Sequence, residues 1–126
     1  MHKAAILSSC GTYRYTLDRD WDKGPRALFI MLNPSTADDK VDDPTIRRCI
    51  SFAKREGCGG LRVINLYSAR TPSPKELAKM SHPHGPTEAH HVSSSITEAT
   101  GPVICAWGAD PMAKSVSDYM LSVIRI

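Results

Sequence analysis

The sequence predicts a single α/β domain, a three-layer sandwich in which a small, mainly parallel sheet lies between helices. Three short apolar runs support this, because each ends abruptly in a polar, turn-forming cluster: residues 27–32, 61–66 and 102–106. Runs of this kind are typical of buried parallel strands. Their alternation with helical stretches from residue 27 onward is the pattern of an α/β fold.

The elements before and between the first two runs follow from local signals. Residues 4–8 and 12–17 have the pattern of two short strands around a Ser-Cys-Gly turn, which predicts an N-terminal β-hairpin. A helix begins at Asp43-Pro44, where an acidic N-cap precedes a proline at the first helical position. Gly57 ends this helix.

Three further helices are predicted in the second half of the chain. Ser73 and Glu76 form a capping box, which opens a short helix. Residues 87–99 are weakly helical. Asp110-Pro111 begins the last helix, by the same cap signal that opens the first one.

The composition fits one globular domain over residues 1–126. The chain is 41% hydrophobic and 23% charged, which is ordinary for a folded protein. Its net charge of +3 permits a phosphate-binding face without requiring one. No apolar run is long enough for a membrane span or a signal peptide. The cysteines are scattered, with Cys49 on a helix and Cys105 in a buried strand, so we expect reduced core thiols and a cytoplasmic protein without a membrane partner.

The polar clusters after the three strands predict one site. Ligands of parallel sheets bind in the crevice beyond the carboxyl ends of the strands, where Asn33, Asn65 and Trp107 all fall. The Asn33 amide, beside a backbone fixed by Pro34, can orient a water or a base edge, or it can simply cap the turn. Trp107-Gly108 can wall a flat pocket, although a buried core tryptophan is an equal alternative.

Aromatic and basic residues near this edge suit a nucleic acid. Tyr67 can stack on a base while Arg70 holds a phosphate, although Tyr67 is equally suited to cover the core. Arg47 and Arg48 lie near the start of their helix, where their charges oppose the helix dipole unless an anion lies nearby. A solvated helix face is the alternative for both.

No metal or cofactor is expected. The acidic loop over residues 38–43 lacks the spacing of an EF-hand, so helix capping and solvation explain most of its carboxylates. The histidines between residues 82 and 91 have no cysteine or carboxylate that completes a zinc set. The chain also lacks a glycine-rich phosphate loop and the GxSxG pattern, which argues against the common hydrolases and nucleotide enzymes.

Several motifs, taken together, point to a known family. They are Tyr13-Arg14-Tyr15-Thr16-Leu17 with Trp21, Met31-Leu32-Asn33-Pro34-Ser35-Thr36-Ala37-Asp38, Asp43-Pro44-Thr45-Ile46-Arg47-Arg48-Cys49, Asn65-Leu66 and Ala106-Trp107-Gly108. The set resembles the uncharacterised family called domain of unknown function 1643, which is found in bacteria and phages. The likeness covers nearly the whole chain and implies no particular activity.

A more distant resemblance is to the uracil-DNA glycosylase superfamily. There, one strand ends in a water-activating Asp-Pro or Asn-Pro, and a later strand ends in a Trp-Gly or similar pair. Asn33-Pro34 and Trp107-Gly108 are similar to these elements and stand in the same order. The resemblance implies a glycosylase-like fold in which Asn33 positions the attacking water and the base is extruded into the pocket. Met31 departs from it, because the superfamily has glycine there.

The superfamily's last element, a His-Pro-Ser-like loop that grips the minor groove, has no counterpart in this sequence. The family of unknown function is similar in having a His-Pro stretch near its end, and this chain stops at Ile126 before it. We therefore expect a domain that is short at its C-terminus and lacks its last parallel strand. An unpaired sheet edge of this kind is a route to a homodimer.

The leading hypothesis is a glycosylase-like protein that excises or recognises a base in a nucleic acid. Its catalytic residue is Asn33, and its base pocket comprises Pro34, Ser35, Asn65, Tyr67, Trp107 and Gly108. Its phosphate contacts are Arg47, Arg48 and Arg70. The alternatives are a non-catalytic module that binds nucleotides or nucleic acid in the same crevice, and a truncated, vestigial domain without activity.

Overall fold

The sheet has five strands, and their order across the sheet differs from their order in the chain. A computed structural model describes residues 1–71 and 73–124. The strands are β1 (His2–Leu7), β2 (Arg14–Asp20), β3 (Arg26–Met31), β4 (Gly60–Asn65) and β5 (Val103–Cys105). Across the sheet they lie in the order β1-β2-β4-β3-β5. All five strands predicted from the sequence are therefore present.

The sheet is mixed, so the prediction of a mainly parallel sheet is wrong. β3 pairs in parallel with β4 and β5, but β1 with β2 and β2 with β4 are antiparallel. The predicted hairpin continues the sheet because β2 runs on to Asp20, past the predicted end at residue 17. Asp18 and Arg19, which lie beyond that predicted end, pair with Arg62 and Leu61 of β4.

Helices cover both faces of the sheet, as the three-layer arrangement requires. They are α1 (Pro44–Arg55), α2 (Pro74–Lys79), α3 (Glu88–Thr97) and α4 (Pro111–Ile124). The predicted caps are confirmed, because Asp43 accepts a hydrogen bond from the backbone N–H of Ile46 at 2.8 Å and Ser73 accepts one from that of Glu76 at 3.3 Å. Among the helices of the described residues, none is both long and apolar enough to cross a membrane.

The core forms two layers, one on each face of the sheet. Side chains alternate between the faces along β3 and β4, and each buried aliphatic or aromatic side chain contributes about 1.5–3 kcal/mol. The layer under α1 includes Leu17, Phe29, Ile46, Ile50, Leu61 and Val63. The layer under the other three helices includes Ile30, Ile64, Leu66, Leu77, Val92 and Met120.

A β-bulge in β2 turns one arginine toward the α1 face. Thr16 pairs with Ile6, but Arg14 pairs with Leu7, so Tyr15 is an extra residue. The Tyr15 ring lies on the α3 side, where its centroid is 4.8 Å from that of His91. Because the bulge shifts the alternation by one residue, the Arg14 guanidinium reaches the opposite side, where Nη1 donates to the carbonyl of Ala37 at 3.0 Å.

The four cysteines are all free, but they are not all core residues. Cys49 and Cys58 are buried, whereas Cys10 and Cys105 are exposed. Burial raises the pKa of the Cys49 thiol to about 11, so it stays protonated at neutral pH. The prediction of a buried thiol at Cys105 is wrong, because β5 lies at the edge of the sheet, where its side chains are only partly covered.

A buried arginine of β2 holds the long loop between β3 and α1. The Arg19 side chain is fully buried, and Nε donates to Oδ1 of Asp42 at 2.8 Å. Its Nη2 donates to the carbonyls of Asp38 at 2.5 Å and Val41 at 3.3 Å. Burial alone would raise the pKa of Asp42, but hydrogen bonds and charges from Arg19 and Lys3 hold it below its usual range.

We expect Arg19→Ala to lower the free energy of unfolding by about 3 kcal/mol, because it leaves buried carbonyls and the Asp42 carboxylate without their donor. Lys3→Ala is the matched control, since Lys3 contacts the same carboxylate at 3.3 Å from a more exposed position. Its cost should stay below about 1 kcal/mol. Urea unfolding at pH 7 measures both, and equal losses would contradict the role given to Arg19.

Candidate functional site

The carboxyl ends of the three parallel strands enclose a cavity of about 200 Å³. Its walls come from five parts of the chain, namely β2, the segment after β3, the end of β4, the start of α1 and the residue after β5. The residues that matter below are Arg14, Asn33, Pro34, Ser35, Asp43 and Asn65. The two asparagines that the sequence places at strand ends therefore meet in one cavity.

Asn65 presents a carboxamide that the fold does not use. It closes β4 and is buried, with 4% of its surface exposed. Neither Nδ2 nor Oδ1 has a hydrogen-bond partner among the described residues. A buried polar group without a partner costs about 1–3 kcal/mol. Because Asn65 also lines the cavity, its amide offers an unused donor and an unused acceptor at the cavity wall.

Asn33 is held in one orientation by the loop that follows β4. Its Nδ2 donates to Oγ1 of Thr71 at 3.0 Å, to the Thr71 carbonyl at 3.2 Å and to the Pro34 carbonyl at 3.2 Å. The Thr71 backbone N–H also donates to the Pro34 carbonyl at 3.1 Å. With Nδ2 engaged, Oδ1 remains the free acceptor, and it receives no hydrogen bond from residues 1–71 or 73–124.

Arg14 supplies a buried positive charge that the sequence analysis missed. Burial lowers its pKa to about 10, so the guanidinium is still charged at neutral pH. Asp43 lines the same cavity and favours the charged form. The Nε–H of Arg14 is buried and has no partner within the described part of the chain. A charged residue inside an otherwise aromatic strand segment is the sequence signal that could have found it.

Asp43 is the one carboxylate among the described residues that line the cavity. Its Oδ1 accepts the hydrogen bond that caps α1, and Oδ2 accepts a longer one from the backbone N–H of Ala37 at 3.4 Å. The hydrogen bond to Oδ1 is short, whereas the one to Oδ2 is weak at this length. Asp43 therefore anchors the wall of the cavity through Oδ1.

A shallow groove adjoins the cavity at Ser35 and is lined by Arg70. The Arg70 guanidinium donates to the carbonyls of Gly11, Ser35 and Thr36, each at 3.4 Å. Hydrogen bonds of this length are weak. Arg70 can therefore exchange a carbonyl for an anion at small cost, and it remains a candidate phosphate contact.

The two arginines of α1 differ in their surroundings. The Arg47 side chain is exposed, and Nη2 donates to the Asp42 carbonyl at 3.3 Å. Arg48 is also exposed and lines an apolar groove that shares Met31, Thr45 and Ala106 with the cavity. Arg48 and Arg70 thus lie in two different grooves, and both grooves open beside the asparagines.

The structure does not bring Tyr67, Trp107 and Gly108 to the cavity. Tyr67 is buried under the helices of the other face, and its hydroxyl donates to the Met112 carbonyl at 2.7 Å. Trp107 packs against that same core layer, while Gly108 is exposed. β4 ends at Asn65, so the strand alternation that would return Tyr67 to the α1 face stops there.

Three carboxylates of the acidic loop are engaged in hydrogen bonds or ion pairs within the protein. Asp38 accepts from the backbone N–H groups of Lys40 at 2.8 Å and Val41 at 2.7 Å, and these hydrogen bonds hold its pKa below the usual value. Asp42 pairs with Arg19, and Asp43 caps α1 as above. The described residues contain no cluster of three or more histidine, cysteine or acidic side chains that could hold a metal ion.

The fold and the cavity define a small mixed α/β protein with a polar crevice at the carboxyl edge of its sheet. The family model described as "Protein of unknown function (DUF1643)" matches residues 14–126. The chain belongs to this family. No curated protein and no solved structure matches the chain.

Replacing the unused amide should stabilise the fold. We expect Asn65→Leu to raise the free energy of unfolding by about 1–2 kcal/mol, because an aliphatic side chain of similar size removes two unpaired buried polar atoms. Asn33→Ala, which deletes the amide bonded to Thr71, should lower it by about 1 kcal/mol. Urea unfolding of both variants tests this, and a loss of stability in Asn65→Leu would show that the fold uses this amide.

Proposed function

We propose that the cavity binds a nucleobase and that the protein recognises and excises a base in a nucleic acid. The unpartnered amide of Asn65 carries this proposal. A carboxamide that offers a donor and an acceptor side by side matches the hydrogen-bonding edge of a base, which is how extruded bases are recognised. No aliphatic ligand would repay the cost of leaving both amide atoms unpaired.

The amide content of the chain supports the same proposal. The sequence has two asparagines and no glutamine, and both asparagines line this one cavity. The cavity of about 200 Å³ lies below the size range of drug-sized ligand sites, about 300–1,000 Å³. A single planar base therefore suits it better than a whole nucleotide, and the sugar and phosphate would remain in the adjoining grooves.

The excision step follows from the roles of three side chains. Asn33 Oδ1 accepts a hydrogen bond from a water and positions it against the anomeric carbon of the sugar. The C–O bond forms as the C–N bond breaks, and the bonding pair leaves with the base. Arg14 and Asn65 stabilise the charge on the departing base, and the water proton passes to solvent and then to the base. The likeness of Asn33-Pro34 to the water-activating pair of the uracil-DNA glycosylase superfamily supports this assignment.

The arginines outside the cavity are the proposed phosphate contacts. Arg48 and Arg70 line the two adjoining grooves, and Arg47 lies one position before Arg48 on α1. Such contacts position a nucleic acid without reading its sequence, and they make its affinity dependent on salt.

A non-catalytic module that binds a base in the same cavity is the second candidate. The specific observation behind it is that both oxygens of Asp43, the one carboxylate in the described cavity wall, are bonded to backbone N–H groups. A neutral amide can orient a water but is a poor proton acceptor. Binding then needs Asn65 and Arg14 but not Asn33 Oδ1.

The sheet edge at β5 is the proposed contact for a homodimer. β5 pairs with β3 on one side only, and its three residues are half-buried or exposed. Strand pairing between two copies would cover this edge. A monomer by light scattering at high protein concentration would exclude the dimer.

Excision is tested with single-stranded and duplex DNA that carries uracil, mismatched or modified bases, followed by alkaline cleavage of abasic sites. We expect scission by the wild-type chain and a loss of about 100-fold in Asn33→Ala, because the water is no longer held at the reacting carbon. Asn33→Asp is the comparison variant, because it keeps an acceptor but loses the Nδ2 hydrogen bonds to Thr71 and Pro34, so it should be less active than the wild type and more active than Asn33→Ala. Scission that is unchanged in Asn33→Ala would overturn the excision mechanism.

Binding without scission would favour the second candidate. In that case fluorescence anisotropy should show that Asn33→Ala retains affinity, whereas Asn65→Leu loses it. Three phosphate contacts to a single strand predict a slope of about −2 for log affinity against log salt. An affinity that changes neither in Asn65→Leu nor with salt concentration would exclude a base-binding cavity.

A further inference from the structure

A larger cavity lies on the other face of the sheet, between α3 and α4. Its volume is about 450 Å³, more than twice that of the cavity with the asparagines. The walls are mostly aliphatic, with contributions from Leu66, Val92, Val116 and Met120. Four polar side chains also line it, namely His84, Glu88, Ser93 and Tyr119, and the first two contact each other. A concave apolar pocket of this size with few convergent polar groups is typical of a small-molecule site.

His84 and Glu88 form a fixed pair. Glu88 Oε1 accepts from the backbone N–H of Ser68 at 2.8 Å, and Oε2 accepts from Nδ1 of His84 at 2.6 Å. The His84 ring also stacks on Tyr67, with 4.6 Å between the ring centroids. A carboxylate can only accept, so when the imidazole is neutral its proton is on Nδ1 and its Nε2 is an acceptor. Nε2 bonds to none of the described residues.

We propose that this cavity is a second ligand site and that it takes a small aromatic molecule with a hydroxyl group. The aromatic body fits the aliphatic walls, and the hydroxyl donates to Nε2 of His84. The negative charge of Glu88 stands on the other side of the same imidazole and disfavours carboxylates and phosphates. The preferred ligand is thus a phenol or a related neutral alcohol.

This site is separate from the base cavity and does not rest on its proposed function. Asn65 and Leu66 are neighbours in the chain, but Asn65 lines the base cavity and Leu66 lines the second one. The sheet therefore stands between the two cavities.

The probes are three naphthalene derivatives of similar size, namely naphthol, methoxynaphthalene and naphthoate. Titration calorimetry and ligand fluorescence should show naphthol binding about tenfold more tightly than methoxynaphthalene, which cannot donate. Naphthoate should bind more weakly than naphthol because Glu88 repels it. Equal affinities for naphthol and methoxynaphthalene would overturn the role of His84.

Two variants locate the binding. His84→Asn keeps a donor for Glu88 but removes Nε2, so it should abolish the preference for naphthol and leave the affinity for methoxynaphthalene unchanged. Ser93→Trp blocks the cavity from an exposed position and should abolish binding of all three probes. His90→Trp is its control, because His90 is exposed on the same helix and does not line the cavity.

Each result decides the proposal. Binding that survives Ser93→Trp, or that is lost equally in His90→Trp, would show that the probes bind elsewhere and would overturn it. Circular dichroism checks that each variant folds. Should His84→Asn fail to fold, the naphthol preference of the wild-type chain and its loss in Ser93→Trp provide the test.

Discussion

The position of the loop between β3 and α1 depends on Arg19. This side chain is buried in β2, and its hydrogen bonds reach Asp38, Val41 and Asp42 across the loop. A charge in that position is tolerated only because Nε, Nη1 and Nη2 of the guanidinium all donate to an acceptor. The same loop carries Asn33 at its start and the α1 cap at its end. The wall of the cavity is therefore built by a strand that is not among the parallel three.

Some polar groups in the cavity wall have hydrogen-bond partners within the protein, and others have none among the described residues. Asn33 Nδ2 and Asp43 Oδ1 are hydrogen-bonded, which fixes the orientation of both side chains. The Asn65 amide and the Nε–H of Arg14 are buried and have no partner among residues 1–71 and 73–124. Natural proteins keep such costs mainly where a ligand repays them. The proposed binding groups therefore rest on the pattern of satisfied and unsatisfied atoms more than on the shape of the cavity.

Local sequence patterns were sufficient to predict the strands and helices and part of the candidate site. Strand ends and caps predicted that Asn33 and Asn65 would meet, because the carboxyl ends of neighbouring parallel strands share one edge. Arg14 was missed because a bulge, which has no sequence signal here, reverses its face. Tyr67 and Trp107 were misplaced because side-chain alternation ends with the strand. The pairing of β2 with β4 depends on long-range contacts that no local pattern contains.

The amide resonances of the two asparagines test the central claim, that Asn65 awaits a planar hydrogen-bonding ligand. The chain has no glutamine, so its side-chain amide spectrum contains two NH₂ groups, and Asn65→Leu assigns them. Nitrogen–proton correlation spectra are recorded during titration with nucleoside monophosphates and a uracil-containing oligonucleotide. We predict that the Asn65 pair moves downfield and exchanges more slowly with water, while the Asn33 pair, already bonded to Thr71, changes little. An Asn65 pair that no base-containing ligand shifts would contradict it.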